Sequence, residues 1–259
     1  MNGIVAILAR LSGRQKFSIV CLAFYWPVLF VLGHIQIPQI VREANVSDKS
    51  LHFLAYMVLA LLVWSAAKPD KKVIWRKPGA WLVLVVVVLY GVCDEWLQLY
   101  VVGRSADVKD FAADVVGTAA GLVVLSIFSF SPAVLIATGV TIFTLTNFTR
   151  TDLSTLVPVT NSLFHFFGYA FFAMFWVRYL DRELQAGVSR LRWWVPAMAL
   201  PLGLLFVVKV GSLIFGKGFD RWDVILAVTG IATAVTAQSL IGVLHRRLAR
   251  SSRGSTDFR

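Results

Sequence analysis

The sequence predicts an all-α fold: a polytopic transmembrane helical bundle of about eight helices, arranged as two parallel four-helix repeats. Three observations lead there. Hydrophobic residues make up 58% of the 259 and charged residues 15%, with a mean hydropathy of +0.75. A soluble domain is about 45–50% apolar and about 25% charged, so a soluble fold of this size could not hide so much apolar surface. The apolar residues gather in eight blocks, and a pattern in the first half returns in the second at one constant offset. Disordered, collagenous and disulfide-scaffold classes are excluded by the same composition.

The blocks run over 17–35, 51–67, 79–102, 110–130, 132–147, 161–179, 193–215 and 222–243. Each is close to the ~20 residues that span a bilayer. The first is too long for a cleavable signal segment and no A-x-A site follows it, so it reads as a retained helix. Cys21 and Cys93 fall in blocks expected at different membrane depths, which argues against a disulfide. Trp64, Trp75, Trp81, Trp193 and Trp194 stand near block ends and read as interfacial belts. Gly117-x-x-x-Gly121, flanked by alanines, reads as a helix-packing stripe.

Charge placement sets the expected orientation. With the N-terminus in the cytoplasm, 17 of the 25 basic residues fall in cytoplasmic segments and 10 of the 14 acids on or just beneath the outer side. The net charge of +11 is thus a matter of topology and attraction to anionic lipid, and nucleic acid is not expected as a partner. The expected location is a multi-pass protein of the cell (plasma or inner) membrane with both termini cytoplasmic.

The repeat is read from His52-Phe53-Leu54-Ala55-Tyr56, which returns as His165-Phe166-Phe167-Gly168-Tyr169. The offset, 113 residues from 52 to 165, also carries Gly103 to Gly216, Arg104 to Lys217, Asp107 to Asp220, Asp110 to Asp223 and Gly117 to Gly230. Four spans is an even number, so both copies would share one orientation. The expected domains are an amphipathic cytoplasmic N-terminus (1–16), a first repeat (17–130), a degenerate second repeat (131–245) and a basic cytoplasmic tail (246–259).

Chemistry concentrates in the first copy. Asp48, His52 and Tyr56 lie at i, i+4 and i+8 on one helix face, with Lys49 beside them. Asp94, Glu95 and Gln98 close the third block. Gly103 and Arg104 then make a turn, and Asp107, Asp110 and Asp114 follow at helical spacing. All fall at the outer ends of their helices. Charged groups there need mutual partners, which predicts a polar outer-leaflet pocket. Simpler roles stand beside this one: Asp94 and Glu95 as interface carboxylates held by Arg104 or Lys209, His52 as a packing histidine, Asp110 as an N-cap. Lys209 aligns with Trp96 at the 113 offset, and is a candidate partner for Asp94 or Glu95 across a pseudo-two-fold axis.

Asp48-Lys49-x-x-His52-Phe53-x-x-Tyr56, Asp94-Glu95-x-x-Gln98 and Gly103-Arg104 with Asp110, Asp114 and Gly117 together resemble the VanZ-like membrane family over about 35–125. The second copy keeps His165, Tyr169, Lys217, Asp220 and Asp223. It has Asn161 and Ser162 in place of Asp48 and Lys49, and Val207, Val208 and Gly211 in place of Asp94, Glu95 and Gln98. The family usually has Asn where this chain has Asp114. The resemblance implies an envelope membrane protein, and the family's namesake is associated with lowered sensitivity to teicoplanin.

Three function classes follow. The first is a binder or carrier of a lipid, a lipid-linked wall precursor or a lipophilic drug, with Asp48, Lys49, Tyr56, Gln98, Arg104, Asp110, Asp114 and Lys209 lining its site. The second is an intramembrane acid–base enzyme, a hydrolase or transferase acting on a lipid-linked phosphate or acyl substrate. There Glu95 is the base, His52 the acid or second base and Asp94 their neighbour, with Arg104 and Lys49 as an anion clamp. The third is a structural partner of envelope enzymes. No serine or cysteine nucleophile motif is present. A metal on His52, Asp94, Glu95 and Asp110 lacks tight ligand spacing, so no metal and no cofactor are expected.

Overall fold

The computed structural model describes residues 11–34, 48–69, 71–148, 158–183, 190–217 and 220–254, with the backbone alone at 158–160, 183, 190–192 and 243–254. Among the described residues eight α-helices follow one another: α1 (Gly13–His34), α2 (Asp48–Ala67), α3 (Pro78–Gln98), α4 (Val108–Ile127), α5 (Phe130–Asn147), α6 (Pro158–Glu183), α7 (Arg190–Ile214) and α8 (Arg221–Gly254). No strand occurs among the described residues. All eight contain a stretch long and apolar enough to cross a membrane. The protein is therefore an all-helical, multi-pass membrane protein.

Local chemistry sets the helix ends. Pro78 opens α3 at its first position, where its missing N–H costs nothing. Asp107 caps α4, its carboxylate accepting the Lys109 amide at 2.9 Å. It is this residue, and not Asp110, that fills the cap; Asp110 sits in the first turn. The third apolar block reaches 102 in the sequence, but α3 stops at Gln98. The chain reverses there through Gly103 at φ 82, a left-handed conformation that glycine adopts without strain. The basic stretch expected as a tail continues α8 to Gly254. Residues 1–10 of the expected N-terminal segment lie outside the described residues, and 13–16 begin α1. Cys21 and Cys93 are both free thiols.

The chain divides into two compact units, Met1–Asp152 and Leu153–Arg259. In the first, α2 and α4 meet along a seam of near backbone contact. A Cβ on Gly117 would collide with the Phe53 carbonyl oxygen, and one on Gly121 with that of Met57. Small residues allow such approach, which drives helix association where lipid removes the hydrophobic incentive. Around the seam Leu59, Ala60 and Leu122 are fully buried. Side chains tie the other helices on. Tyr25 of α1 donates to the Ala55 carbonyl at 2.9 Å, and Gln15 to that of Ala66 at 2.9 Å. Past the far end of α2, Val73 N–H donates to Leu125 O at 3.0 Å. Phe24 and Val28 on α1 and Leu82 and Leu89 on α3 remain exposed, as a lipid-facing surface requires.

In the second unit α6 and α8 form the corresponding seam, where a Cβ on Gly230 would strike the carbonyl of Phe166. Tyr169, Ala173 and Val177 on α6, and Ala227, Ile231 and Val235 on α8, step by four residues and are fully buried. Their spacing makes one continuous stripe on each helix.

Candidate functional site

The first unit brings the C-terminal ends of α1 and α3 to the N-terminal ends of α2 and α4. His52 stands at the centre. Its Nδ1 is 2.9 Å from Asp114 Oδ1 of α4 and 3.9 Å from Glu95 Oε1 of α3. Its Nε2 faces Asp48 Oδ1, one turn back on its own helix, at 4.0 Å. The ring stacks on Tyr56 with centroids 6.5 Å apart.

Two shells of charge surround it. On the outer side, Lys49 bonds Asp110 Oδ1 at 3.0 Å and Asp107 Oδ2 at 3.1 Å. Arg104 NH1 lies 3.6 Å from Asp48 Oδ2, and NH2 donates to the Leu32 carbonyl at 3.3 Å. Asp107 is outside the spanning segment. The Lys109 amide, and then the Lys49 ammonium, hold its carboxyl below the usual carboxylate range. The inner side differs. Asp94, Glu95 and Asp114 are all buried. Asp94 Oδ2 accepts from Gln98 at 3.2 Å, Glu95 Oε2 accepts the Asp107 amide at 3.0 Å, and Asp114 holds His52 through one oxygen. Their other oxygens, Asp94 Oδ1, Glu95 Oε1 and Asp114 Oδ2, find no hydrogen-bond partner among the described residues. Unmet buried acceptors are expensive, at about 1–3 kcal/mol each, and mark a site more readily than a packing arrangement.

A cavity of about 240 Å³ opens beside this cluster, between α1 and α2. Val28, Leu29, Leu32 and Ala55 form its apolar wall; Asp48, His52, Tyr56, Asp94 and Arg104 form its polar end. Gly33 lies against Asp94, where a Cβ would come 3.4 Å from the carboxylate, so α1 approaches closely at this level.

Of the residues expected at the site, His52, Asp94, Asp48, Tyr56 and Arg104 line the cavity, and Glu95, Asp114 and Gln98 stand directly behind them. Lys49 does not join Arg104 as a clamp on the cavity, because its ammonium is held by Asp107 and Asp110. Lys209 bonds Asp223 Oδ2 at 3.0 Å inside the second unit. That aspartate also receives Asn161 Nδ2 at 2.7 Å and has His165 Nε2 at 3.3 Å. Lys209 therefore serves the second unit's own carboxylate. The four-residue metal set of His52, Asp94, Glu95 and Asp110 is not assembled as such. The clusters within ligand distance are His52, Glu95 and Asp114, and Asp48, His52 and Asp110.

His34 is a site neighbour that the sequence motifs do not single out. Its Nδ1 is 2.7 Å from the Phe30 carbonyl and 3.8 Å from Asp94 Oδ1. The sequence does carry a signal for it: a histidine closing the first apolar block, at the same membrane level as Asp94.

The fold and this site define an integral membrane protein with a buried polar cluster at one end of a helical bundle. Residues 7–129, which hold every member of the cluster, match the family model described as VanZ/LLP1. That region is VanZ-like, and the chain that carries it is an integral membrane protein. No curated protein and no solved structure matches it.

Proposed function

We propose that the first unit binds an amphiphilic envelope molecule in the cell membrane: a lipid, a lipid-linked wall precursor or a lipophilic drug. The cavity carries the reading. One wall is hydrocarbon and the other end offers a guanidinium, an imidazole and carboxylates, the distribution a lipid headgroup and tail require. Arg104 is the anion contact, with an N–H fork suited to phosphate or carboxylate. The charge bias supports an outer-leaflet position for this end, with both termini cytoplasmic. Lowered sensitivity to a glycopeptide such as teicoplanin is the phenotype this binding would support.

The test is protein purified in lipid nanodiscs with a native lipid extract, lipid-linked precursors and teicoplanin, read by mass spectrometry. The wild type retains a specific amphiphile, and Arg104→Gln loses it by tenfold or more. Equal retention by both would overturn the reading.

One observation favours a second reading, an acid–base enzyme on such a molecule. A His–Asp pair at 2.9 Å with a second carboxylate 3.9 Å away is a proton-transfer arrangement. New products in the same spectra, absent with Glu95→Gln, would select it.

A further inference from the structure

We infer that His52, Glu95 and Asp114 bind a divalent transition-metal ion, of the Zn²⁺ or Mn²⁺ class, behind the polar end of the cavity. The inference does not depend on what occupies the cavity.

The donor atoms are already assembled. One ligand atom from each residue lies within 4.8 Å of the other two. His52 Nδ1 is 2.9 Å from Asp114 Oδ1 and 3.9 Å from Glu95 Oε1. An ion held at about 2.0–2.2 Å from nitrogen and oxygen spaces its ligands by about 3.0–3.5 Å. For His52 and Glu95, reaching that spacing needs a movement of roughly half an ångström. The donors come from α2, α3 and α4, a set that no local sequence motif could announce.

Glu95 supplies the independent sign of a ligand. It is 7% exposed, its Oε1 points at His52 Nδ1, and that oxygen has no hydrogen-bond partner among the described residues. Asp114, fully buried, holds a second such oxygen in Oδ2. Two buried carboxylates around a neutral imidazole carry a charge of about −2, which one divalent ion cancels.

The surroundings are those of a supported metal site. With Nδ1 as the ligand, Nε2 carries the proton and faces Asp48, itself beside Arg104. A carboxylate behind a ligating histidine fixes its tautomer and orientation. Glu95 is held through Oε2 by the Asp107 amide, leaving Oε1 for the ion. The neighbouring set of Asp48, His52 and Asp110 is the weaker candidate. Lys49 already bonds Asp110, and Arg104 stands at Asp48, so an ion there would meet two cations. One imidazole and two carboxylates suit Zn²⁺ or Mn²⁺ better than Ca²⁺, which prefers six to eight oxygens.

The experiment uses full-length protein without a histidine tag. It is stripped with chelator in nanodiscs and titrated with Zn²⁺ and Mn²⁺, with bound metal read by mass spectrometry and free Mn²⁺ by electron paramagnetic resonance. The wild type takes up one ion per chain. Glu95→Gln, nearly isosteric and changed at an unpartnered oxygen, weakens uptake at least tenfold, and so does Asp114→Asn. Leu32→Trp, which fills the apolar wall, removes the amphiphile and leaves metal uptake intact, so the two proposals fail separately. Absence of stoichiometric uptake by the wild type, or unchanged uptake by Glu95→Gln, overturns the inference even where Asp114→Asn does not fold.

Discussion

His52 and His165 sit 113 residues apart, on α2 and α6, and their settings differ in one respect. Much is shared. Each ring stacks on a tyrosine one turn on, with centroids 6.5 and 6.2 Å apart. Each helix lies against a glycine of its seam partner, Gly117 of α4 or Gly230 of α8. Each partner helix follows a left-handed glycine, at φ 82 and φ 70, and starts from an aspartate that accepts the amide two residues on. The carboxylates differ. In the second unit Asp223 has an amide, an imidazole and an ammonium around it. In the first unit Asp94, Glu95 and Asp114 are added on the inner side, and each keeps an oxygen without a hydrogen-bond partner among the described residues. In the second cluster the buried atoms without a hydrogen-bond partner among the described residues are His165 Nδ1 and the Tyr169 hydroxyl, while its carboxylate is partnered; in the first they include three carboxylate oxygens. Spare buried acceptors cost stability and are where a ligand gains most.

The largest effect should come from what the units share. Gly117→Leu and Gly230→Leu each push a side chain into a carbonyl across a helix seam, and each should cost about 3 kcal/mol or more in unfolding from lipid. A harmless Gly230→Leu would break the likeness between the seams. Next comes the contrast itself. Asp223→Ala removes the group that Asn161, His165 and Lys209 all contact and should cost about 2–4 kcal/mol. Glu95→Gln, in metal-free protein, should be neutral or stabilising by up to about 1 kcal/mol. Equal losses in a denaturant titration would erase the difference between the two clusters.

The smallest effect tests the shared caps. Asp107→Asn and Asp220→Asn should each lower Tm slightly. For Asp107 the effect should depend on pH. Its folded carboxyl is held below the ordinary value of 3.8, so its contribution is present above that value and fades as the pH falls through the lowered one. The Tm difference between wild type and Asp107→Asn should therefore shrink on acidification. A difference that grew would reverse the sign.

The fold is legible in the sequence because lipid imposes a simple rule: a spanning helix must be apolar for about 20 residues, and eight such blocks stand in plain view. Ends are less so. Val101 and Val102 look apolar enough to prolong α3, but the chain reverses at the left-handed Gly103, after which the Asp107 amide donates to Glu95. The site residues are legible as a group, because charged side chains at membrane depth are costly and rarely stand there without partners or a task. Their pairings are not. Which acid His52 meets depends on the rotation of α4 against α2, so Asp114 rather than Asp48 becomes its close partner. The contacts of Lys49 with Asp107 and Asp110, and of Lys209 with Asp223, are illegible for the same reason: periodicity gives a face and not the neighbour across it.

The near contact of Gly117 with Phe53 and of Gly121 with Met57 also has a mechanical side. Two helices this close cannot slide along each other, because a one-residue slip would bring a Cβ onto a carbonyl. They act as a single fixed plank carrying His52 and Asp114. The facing wall, α1, is joined by side-chain tethers such as Tyr25, carries Pro27 in mid-helix and buries few of its residues. Under the proposed binding of an amphiphile, any widening for a bulkier tail would fall to α1, while the polar end stays in place. Discrimination between headgroups and tolerance of tails would then reside on different helices and could change independently.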